Sequence, residues 1–357
     1  MKRVLIYGMT DNPGGIEAYV INLAKRLENE VIFDYVIDFE TIAHSEFIKS
    51  MGSKVYRIPA KSKSLFHHWR EFWKILKQHP EYKTVYFNIL DAGAAITEFI
   101  PWLLRKRIVT HSHNSATEKV RLHRICRPLL NIFTDKYVAC SKIASEYMFG
   151  NAEKALIIPN AIDAAKFSFT PELRDKKRKE LGIGDELAVC HIGRLAPQKN
   201  PIRMLDIFKA VSEKKPNAVL ISVGAGEMEQ EVFRHAEDIG ISGNVMFLGA
   251  RHDISEILQA ADVFLFPSQY EGLGIVVLEA QAAGLGCVVS SEVPHEVNIT
   301  GNVTFVSLEE NNEFWAEKLL LSANNIPRKN VLPQIIESGY DINHCRAKDL
   351  ELLKMFN

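Results

Sequence analysis

A chain of 357 residues is long enough for two domains and a large core, and its 47% hydrophobic and 24% charged content is that of a soluble globular protein. No stretch reaches the uncharged apolar length that spans a bilayer, and the basic, apolar start Met1–Gly8 is too short for a signal peptide and reads as a first strand. The net charge of -1 hides an asymmetry: residues 1–160 carry 23 Lys+Arg against 16 Asp+Glu, a balance of +7, which leaves -8 for the rest, so each half is expected to meet different partners.

Apolar runs of strand length alternate with helical patterns from end to end. In the first half the expected strands are Val4–Tyr7, Phe33–Ile37, Lys54–Ile58, Thr84–Asn88, Arg107–Thr110, Lys136–Ala139 and Ala155–Ile158, with helices between them such as Ile16–Leu27 and Ile96–Leu104. Turn chemistry at Pro159–Asp163 and a polar, proline-bearing stretch to Pro171 mark the join. The charged run Glu172–Leu181 reads as a solvated helix. Strands then follow at Ala188–Ile192, Ala218–Val223, Val245–Leu248, Val263–Phe266, Cys287–Ser290 and Val303–Val306, with helices such as Pro201–Val211 and Glu227–Ile239. Asp341–Phe356 reads as a last helix capped by Asp341. Mostly apolar strands alternating with helices predict parallel sheets covered on both faces, hence an α/β chain of two doubly wound domains. The boundaries fall at 1–163, 164–340 and, for the closing helix, 341–357. Cys126, Cys140, Cys190, Cys287 and Cys345 are far apart with no CxxC pair, which fits reduced thiols in a cytoplasm and supplies no zinc pattern.

The most informative run is Glu271-Gly272-Leu273-Gly274-Ile275-Val276-Val277-Leu278-Glu279, entered from the strand Val263–Phe266. Its glycine loop and helix start offer backbone N–H groups to an anion, and its carboxylates offer acceptors to hydroxyls. Phosphates and sugar hydroxyls together indicate a nucleotide sugar. Asp11-Asn12-Pro13-Gly14-Gly15-Ile16-Glu17 follows the first strand and is either a ligand-approaching loop or a plain turn; it is neither a dinucleotide fingerprint nor a Walker loop. His111-Ser112-His113-Asn114 sits at a strand terminus, where open α/β sheets bind ligands, and the alternation sends both histidines to one side. A metal pair there lacks a third ligand. On the loop Gly193–Asn200, Arg194 and Lys199 lie beside a helix opening at Pro201, with Asn200 as its cap, an arrangement suited to a diphosphate. Gly224-Ala225-Gly226 either lets a base or ribose rest on the backbone or only makes a turn, and Gly249-Ala250-Arg251-His252-Asp253 leaves another strand for a helix capped by Asp253.

These motifs fall in the order of a known family. The chain resembles the retaining glycosyltransferases of family 4, which have the GT-B fold: two Rossmann-like domains facing a central cleft. The resemblance covers essentially the whole chain. It rests on Gly14-Gly15-Ile16-Glu17, Ile158-Pro159-Asn160-Ala161-Ile162-Asp163, Gly193-Arg194-Leu195 with Lys199-Asn200, Phe247-Leu248-Gly249, and Pro267-Ser268 with Glu271-Gly272 and Glu279-Ala280, which looks like the family's Glu-x7-Glu signature. Glu279–Leu285 and His111–Asn114 are similar to the branch that builds bacterial capsular polysaccharides and exopolysaccharides. The resemblance implies a donor diphosphate on Arg194 and Lys199, ribose hydroxyls on Glu279, and the transferred sugar on Glu271 with the backbone of Gly272, Leu273 and Gly274. Gly14 and Gly15 approach the donor from the first domain; beside what the resemblance implies, Gly224 and Arg251 are counted as candidate donor-binding residues. His113 matches the active-site histidine, with His111 as the fallback and Asn114 and Asn160 as secondary or acceptor-side residues. The closing helix is expected to cross back to the first domain. Leu273, Ile275 and Gly286 depart from residues common in the family.

The reading is therefore a cytoplasmic enzyme that moves a sugar from a nucleoside-diphosphate donor, UDP being the expected nucleotide, to a glycan or lipid-linked glycan. Retention of configuration is implied by the family. No metal or other cofactor is expected, as the sequence has no Asp-x-Asp motif. Lys61–Lys83 interleaves six cations with Leu65, Phe66, Trp69, Phe72, Trp73 and Leu76, and Trp102–Arg107 adds basic and aromatic character; this either docks on an anionic membrane surface or packs a helix on the sheet. No nucleic-acid motif accompanies the basic arrays. The alternatives are a sugar-nucleotide epimerase or hydrolase on the same fold, and a non-catalytic partner subunit, against which the joint presence of Arg194, Lys199, Glu271 and Glu279 argues.

Overall fold

The computed structural model describes residues 1–11 and 14–356, and these form two compact units. One comprises Met1–Ala161 and the chain from Ile342 onward; the other comprises Ile162–Asp341.

The first unit is built on seven parallel strands: β1 (Lys2–Tyr7), β2 (Val31–Ile37), β3 (Val55–Arg57), β4 (Thr84–Ile89), β5 (Arg107–Ser112), β6 (Lys136–Ala139) and β7 (Leu156–Ile157), in the order β3-β2-β1-β4-β5-β6-β7. Side chains alternate across the sheet, so one strand feeds two cores. Val4 and Ile6 of β1 join the core that holds Tyr19, Leu23, Leu352 and Phe356, while Leu5 and Tyr7 join Phe72, Ile75, Ile100 and Leu130 on the other face. The closing helix, Arg346–Met355, belongs to this unit. Arg26 grips Asp349 with two hydrogen bonds of 2.8 and 3.0 Å, and Thr84 donates to the Phe356 carbonyl at 2.9 Å. That helix starts later than its sequence pattern suggests, and Asp341 is not its cap. Asp341 is buried and its carboxylate accepts from the Ala164 N–H at 3.1 Å, because the chain runs alongside Ile162 at this point.

The second unit has six parallel strands: β8 (Ala188–Ile192), β9 (Val219–Val223), β10 (Val245–Phe247), β11 (Val263–Phe266), β12 (Gly286–Ser290) and β13 (Val303–Val306), in the order β10-β9-β8-β11-β12-β13. Its core gathers Val189, Leu220, Leu265 and Val288 from the sheet with Phe208 and Trp315 from the covering helices. Gly286 is set by this packing: a Cβ there would lie 2.2 Å from Ser322 Oγ and 2.8 Å from Ile326 Cδ1.

The charged helix, Pro171–Leu181, corrects the sequence reading, since it is not merely solvated. Its Lys177 and Arg178 are buried. Arg174 donates to the carbonyls of Gln259, Ala260 and Ala261, and Arg178 to that of Ala260. These are the unsatisfied carbonyls ending the Ile254–Ala260 helix, where cations are electrostatically favoured. Asp253 stands at the N-cap of that helix, as expected, but makes no side-chain cap bond; its carboxylate is taken by Arg251 and Lys177, which hold its pKa well below the usual range.

In each sheet the strand order reverses once, between β1 and β4 and between β8 and β11. Crevices outside the carboxyl ends of strands open at such reversals, and that is where open α/β sheets bind ligands.

Candidate active site

In the first unit, the loops leaving β1, β4 and β5 gather at this point. Gly8, at the end of β1, has φ +114, and a Cβ there would sit 2.0 Å from the Asn88 carbonyl oxygen of β4, so the two strand ends touch backbone to backbone. Asn12 and Pro13 of the predicted glycine loop lie outside the described residues. Gly14 and Gly15 lead into the Gly15–Arg26 helix, with Gly14 at its N-cap. Glu17 is buried and accepts from both the N–H and the hydroxyl of Thr10 at 2.9 Å, tying the near end of the loop to the helix. Sequence reading quoted Glu17 within the motif but assigned it no task.

β5 runs two residues beyond its predicted end, which places His111 inside the sheet, opposite Asn88 of β4. The alternation holds: the His111 and His113 rings are 3.9 Å apart. Their surroundings separate them. His111 is fully buried, with its Nδ1 at 2.7 Å from the Tyr86 hydroxyl, which in turn lies 2.9 Å from that of Tyr19. His113 is 8% exposed at the strand end, and its Nε2 meets Asn88 Oδ1 at 2.9 Å. Burial lowers the pKa of both, that of His113 to about 3, so both imidazoles are neutral. Among the described residues, Asn88 Nδ2, His111 Nε2, His113 Nδ1 and Asn160 Oδ1 are buried without a hydrogen-bond partner. Buried polar atoms are seldom left so, and groups that remain are suited to meet a ligand or an ordered water. Asn114 is buried beside them, its Oδ1 accepting from the Ser115 N–H at 3.1 Å. Asn88, Tyr19 and Tyr86 escaped the sequence reading; the one available signal was that a polar residue closes the apolar run of β4.

In the second unit, the loops after β8 and β11 meet. Gln198 Nε2 donates to the Tyr270 carbonyl at 2.9 Å, and the Ser268 hydroxyl and Gln269 N–H donate to the Gln198 carbonyl at 3.1 and 2.8 Å. Within this frame Lys199 forms an ion pair with Glu271, and Ser268 donates to the same carboxylate oxygen at 2.5 Å. Glu271 is almost wholly buried; the Lys199 ammonium also lies 5.0 Å from the Phe266 ring centroid. Beneath the loop, buried His191 donates from Nδ1 to the Leu265 carbonyl at 3.1 Å, and burial brings its pKa down to about 4. Gly274 has φ +86 and sits at the N-cap of the Ile275–Ala282 helix, and among the described residues the N–H groups of Leu273 and Gly274 donate no hydrogen bond. Glu279, in the second turn of that helix, is half-buried, its carboxylate accepts no hydrogen bond among the described residues, and its pKa is pushed up to about 7 by burial, with Lys166 acting against the rise. A buried ion pair, free N–H donors and an unbonded carboxylate thus crowd the switch point of the second sheet.

The other predicted donor residues stand differently. Arg194 is 65% exposed, with Glu227 3.8 Å away, and so is available to an incoming anion. Asn200 is at the N-cap of the Pro201–Lys214 helix, but with φ +55 and no side-chain cap bond. Gly224 has φ +136, and a Cβ on it would lie 1.9 Å from the Gly193 carbonyl oxygen; this close approach lets β9 support the β8 loop and accounts for the glycine without a ligand. Arg251 follows β10, two strands from β8, and pairs with Asp253 at 2.7 Å rather than with the Lys199–Glu271 pair. Among the described residues no group of three or more His, Cys, Asp or Glu could hold a metal ion.

Comparison with known proteins fits this geometry. Residues 13–166 match the family "Glycosyltransferase Family 4", and residues 174–330 match "Glycosyl transferases group 1". The chain is 28% identical over 358 residues to EpsF of Bacillus subtilis (strain 168), covering 95% of this chain and 93% of that protein. Over 189 residues it is 34% identical to the UDP-Gal:alpha-D-GlcNAc-diphosphoundecaprenol alpha-1,3-galactosyltransferase of Escherichia coli, covering 52% of this chain and 46% of that protein. Among solved structures, HepE of Anabaena superposes with a TM-score of 0.82 over 99% of this chain and 100% of its own, at 20% identity. WaaG, a glycosyltransferase involved in lipopolysaccharide biosynthesis, does so with a TM-score of 0.72 over 97% and 99%, at 18% identity. Matched in tandem by both glycosyltransferase families and folded like these enzymes from end to end, the chain belongs to the family 4 glycosyltransferases of the GT-B fold.

Proposed function

We propose that this glycosyltransferase moves a sugar from a UDP-sugar to a glycan or lipid-linked glycan, with retention of configuration, in the synthesis of a bacterial surface polysaccharide. The observation that carries the reading is the convergence of Lys199, Glu271, Ser268 and the unbonded N–H groups of Leu273 and Gly274 at the switch point of the second sheet. Two neighbours support the choice of donor and acceptor. The Escherichia coli relative is named for UDP-Gal and a diphosphoundecaprenol-linked sugar, and HepE has been crystallised with UDP and glucose.

Breaking the bond between sugar and phosphate builds negative charge on the leaving diphosphate. Lys199 and Arg194 meet that charge, together with the N–H groups opening the Ile275–Ala282 helix. Their charges are fixed in place before the reaction, so little reorganisation accompanies the step, and we assign them the role that a divalent ion fills elsewhere. Glu279 receives ribose hydroxyls. Glu271, held by Lys199 and Ser268, receives hydroxyls of the transferred sugar. His113 orients the reacting sugar or the acceptor as a neutral hydrogen-bonding group, since its buried ring does not take up a proton near neutral pH. No helix among the described residues is long and apolar enough to cross a membrane, and we place the enzyme at the inner face of the cell membrane, where a lipid-linked acceptor is presented.

The test is a thermal-shift screen against nucleotide sugars, since a ligand bound only by the native state raises the melting temperature. Product analysis follows by NMR of the new anomeric centre, in buffer containing EDTA. UDP-sugar stabilisation and a retained configuration in the glycan product support the reading. Free sugar or an epimerised nucleotide as the sole product in the presence of acceptor overturns it, and an absolute need for added divalent ion overturns the assignment to Lys199 and Arg194.

A further inference from the structure

A helix that covers a sheet needs one apolar stripe, and the Val120–Phe133 helix has two. His123, Cys126, Leu130 and Phe133, at spacings of three, four and three, are buried in the first unit. Leu122, Ile125, Leu129 and Ile132 repeat the same spacing one residue earlier and face outward, with Ile125 71% and Ile132 62% exposed. Arg121, Arg124 and Arg127 fall on the remaining side, so at 3.6 residues per turn each set takes roughly a third of the circumference. Between Val120 and Phe133 there is no Asp or Glu, and neither Arg121 nor Arg124 has an ion-pair partner among the described residues. Further exposed apolar surface lies at the far end of the helix. There the Trp102 ring packs 4.9 Å from that of Phe133, Trp102 and Leu103 are exposed, and Arg105 and Lys106 follow.

Contiguous apolar surface of this kind, flanked by cations, is the pattern of a helix lying in a membrane interface. The charge selects the partner. A second copy of the first unit, which belongs to the basic half of the chain, would bring like charges together, whereas anionic headgroups are complementary to the arginines. The helix also begins seven residues after His113, the proposed active-site histidine, and its His123 accepts from the N–H of Ala92, three residues beyond the end of β4, at 3.2 Å. The Leu65–Gln78 helix, which the sequence singled out, fits less well. Its Trp69 is tied inward, donating to the Ile96 carbonyl at 2.6 Å against the Phe99 ring, and Glu71 neutralises Lys74. Phe66 and Trp73 remain exposed there.

We propose that the outward stripe Leu122, Ile125, Leu129 and Ile132, with Arg121 and Arg124 beside it, docks the first unit on an anionic lipid bilayer. The proposal gives the lipid-linked acceptor of the preceding reading a place to arrive, but binding is measured without any substrate. The experiment is co-sedimentation of the full chain with vesicles of phosphatidylglycerol and phosphatidylcholine, and with phosphatidylcholine alone. Wild type should pellet with the first and hardly with the second, and rising salt should release it. Ile125→Ser/Leu129→Ser/Ile132→Ser, checked for an unchanged thermal melt, should weaken binding at least tenfold. Arg121→Gln/Arg124→Gln should remove the preference for anionic vesicles. Both variants should keep wild-type UDP release with a soluble acceptor, so loss of docking and loss of the catalytic reading are told apart. The proposal fails if wild type stays in the supernatant or if the triple variant binds like wild type. It also fails if only Phe66→Ser/Trp73→Ser abolishes binding, or if sedimentation equilibrium shows the stripe holding two copies of the chain together.

Discussion

Replacing Lys199 by alanine should separate what this residue does for stability from what it does for catalysis. The substitution takes from Glu271 its ion-pair partner while its carboxylate, whose side chain is 8% exposed, keeps the Ser268 hydroxyl. Removing one member of a buried ion pair costs about 3–5 kcal/mol, and because Lys199 itself is 19% exposed the expected loss is nearer about 2 kcal/mol, including a small part from its contact with Phe266. Catalysis should suffer separately. A lost donor to developing negative charge costs about 10²–10³-fold in rate, or roughly 3–4 kcal/mol. Lys199→Met/Glu271→Gln removes both charges together and should recover most of the stability while recovering none of the turnover. Urea denaturation measures the first quantity and UDP release the second. Lys199→Ala with both wild-type stability and wild-type turnover would refute the reasoning, as would a double variant that regains activity along with stability.

Three further outcomes follow from Glu279, Glu98 and Gly224. Glu279 titrates at about 7 in the native protein, above its ordinary 4.5, so between these values the folded state holds a proton that the unfolded chain lacks and stability falls as pH rises. Ribose hydroxyls donate to the carboxylate form, so calorimetric affinity for a UDP-sugar should rise from pH 6 to pH 8, and Glu279→Gln should abolish that slope; a slope unchanged in the variant defeats the ribose assignment. Glu98 is fully buried, accepts from Thr110 at 2.8 Å, and is raised to about 8 by burial. Unfolding free energy should therefore fall by about 1.4 kcal/mol per pH unit on this group's account between roughly 4.5 and 8, and Glu98→Gln should flatten that part of the profile in chemical denaturation at several pH values. Gly224→Ala adds a Cβ at 1.9 Å from the Gly193 carbonyl at a φ of +136 and should cost about 3 kcal/mol or more while weakening UDP-sugar binding through the displaced β8 loop; a stable variant with normal affinity would show that β9 does not support that loop.

Much of the molecule was legible in the chain. Continuous apolar runs such as Val85–Phe87 and Val263–Phe266 become strands covered on both faces, since only a parallel sheet between helix layers buries every side chain of such a run. Glu271, Gly274 and Glu279 were readable because a loop and the helix it opens are local structure, set by spacing alone. Polar ends of β4 and β5 were half readable: the histidines stood out, and Asn88 did not.

What no local pattern contains is which strand lies beside which, and the site depends on that. Lys199 and Glu271 are 72 residues apart in the chain and form a pair because β8 and β11 are neighbours at the reversal of strand order. His111 and His113 look equivalent in sequence; Tyr86 and Tyr19, brought in from another strand and a helix, make one a core residue and leave the other at the strand end, 8% exposed. The arginines of the Pro171–Leu181 helix look solvated until the Ile254–Ala260 helix presents its carbonyls to them. Secondary structure follows from near neighbours, because its hydrogen bonds and side-chain periods span a few residues. Desolvation, and with it every perturbed pKa and buried ion pair here, depends on surfaces contributed by distant parts of the chain, and only the folded arrangement supplies them.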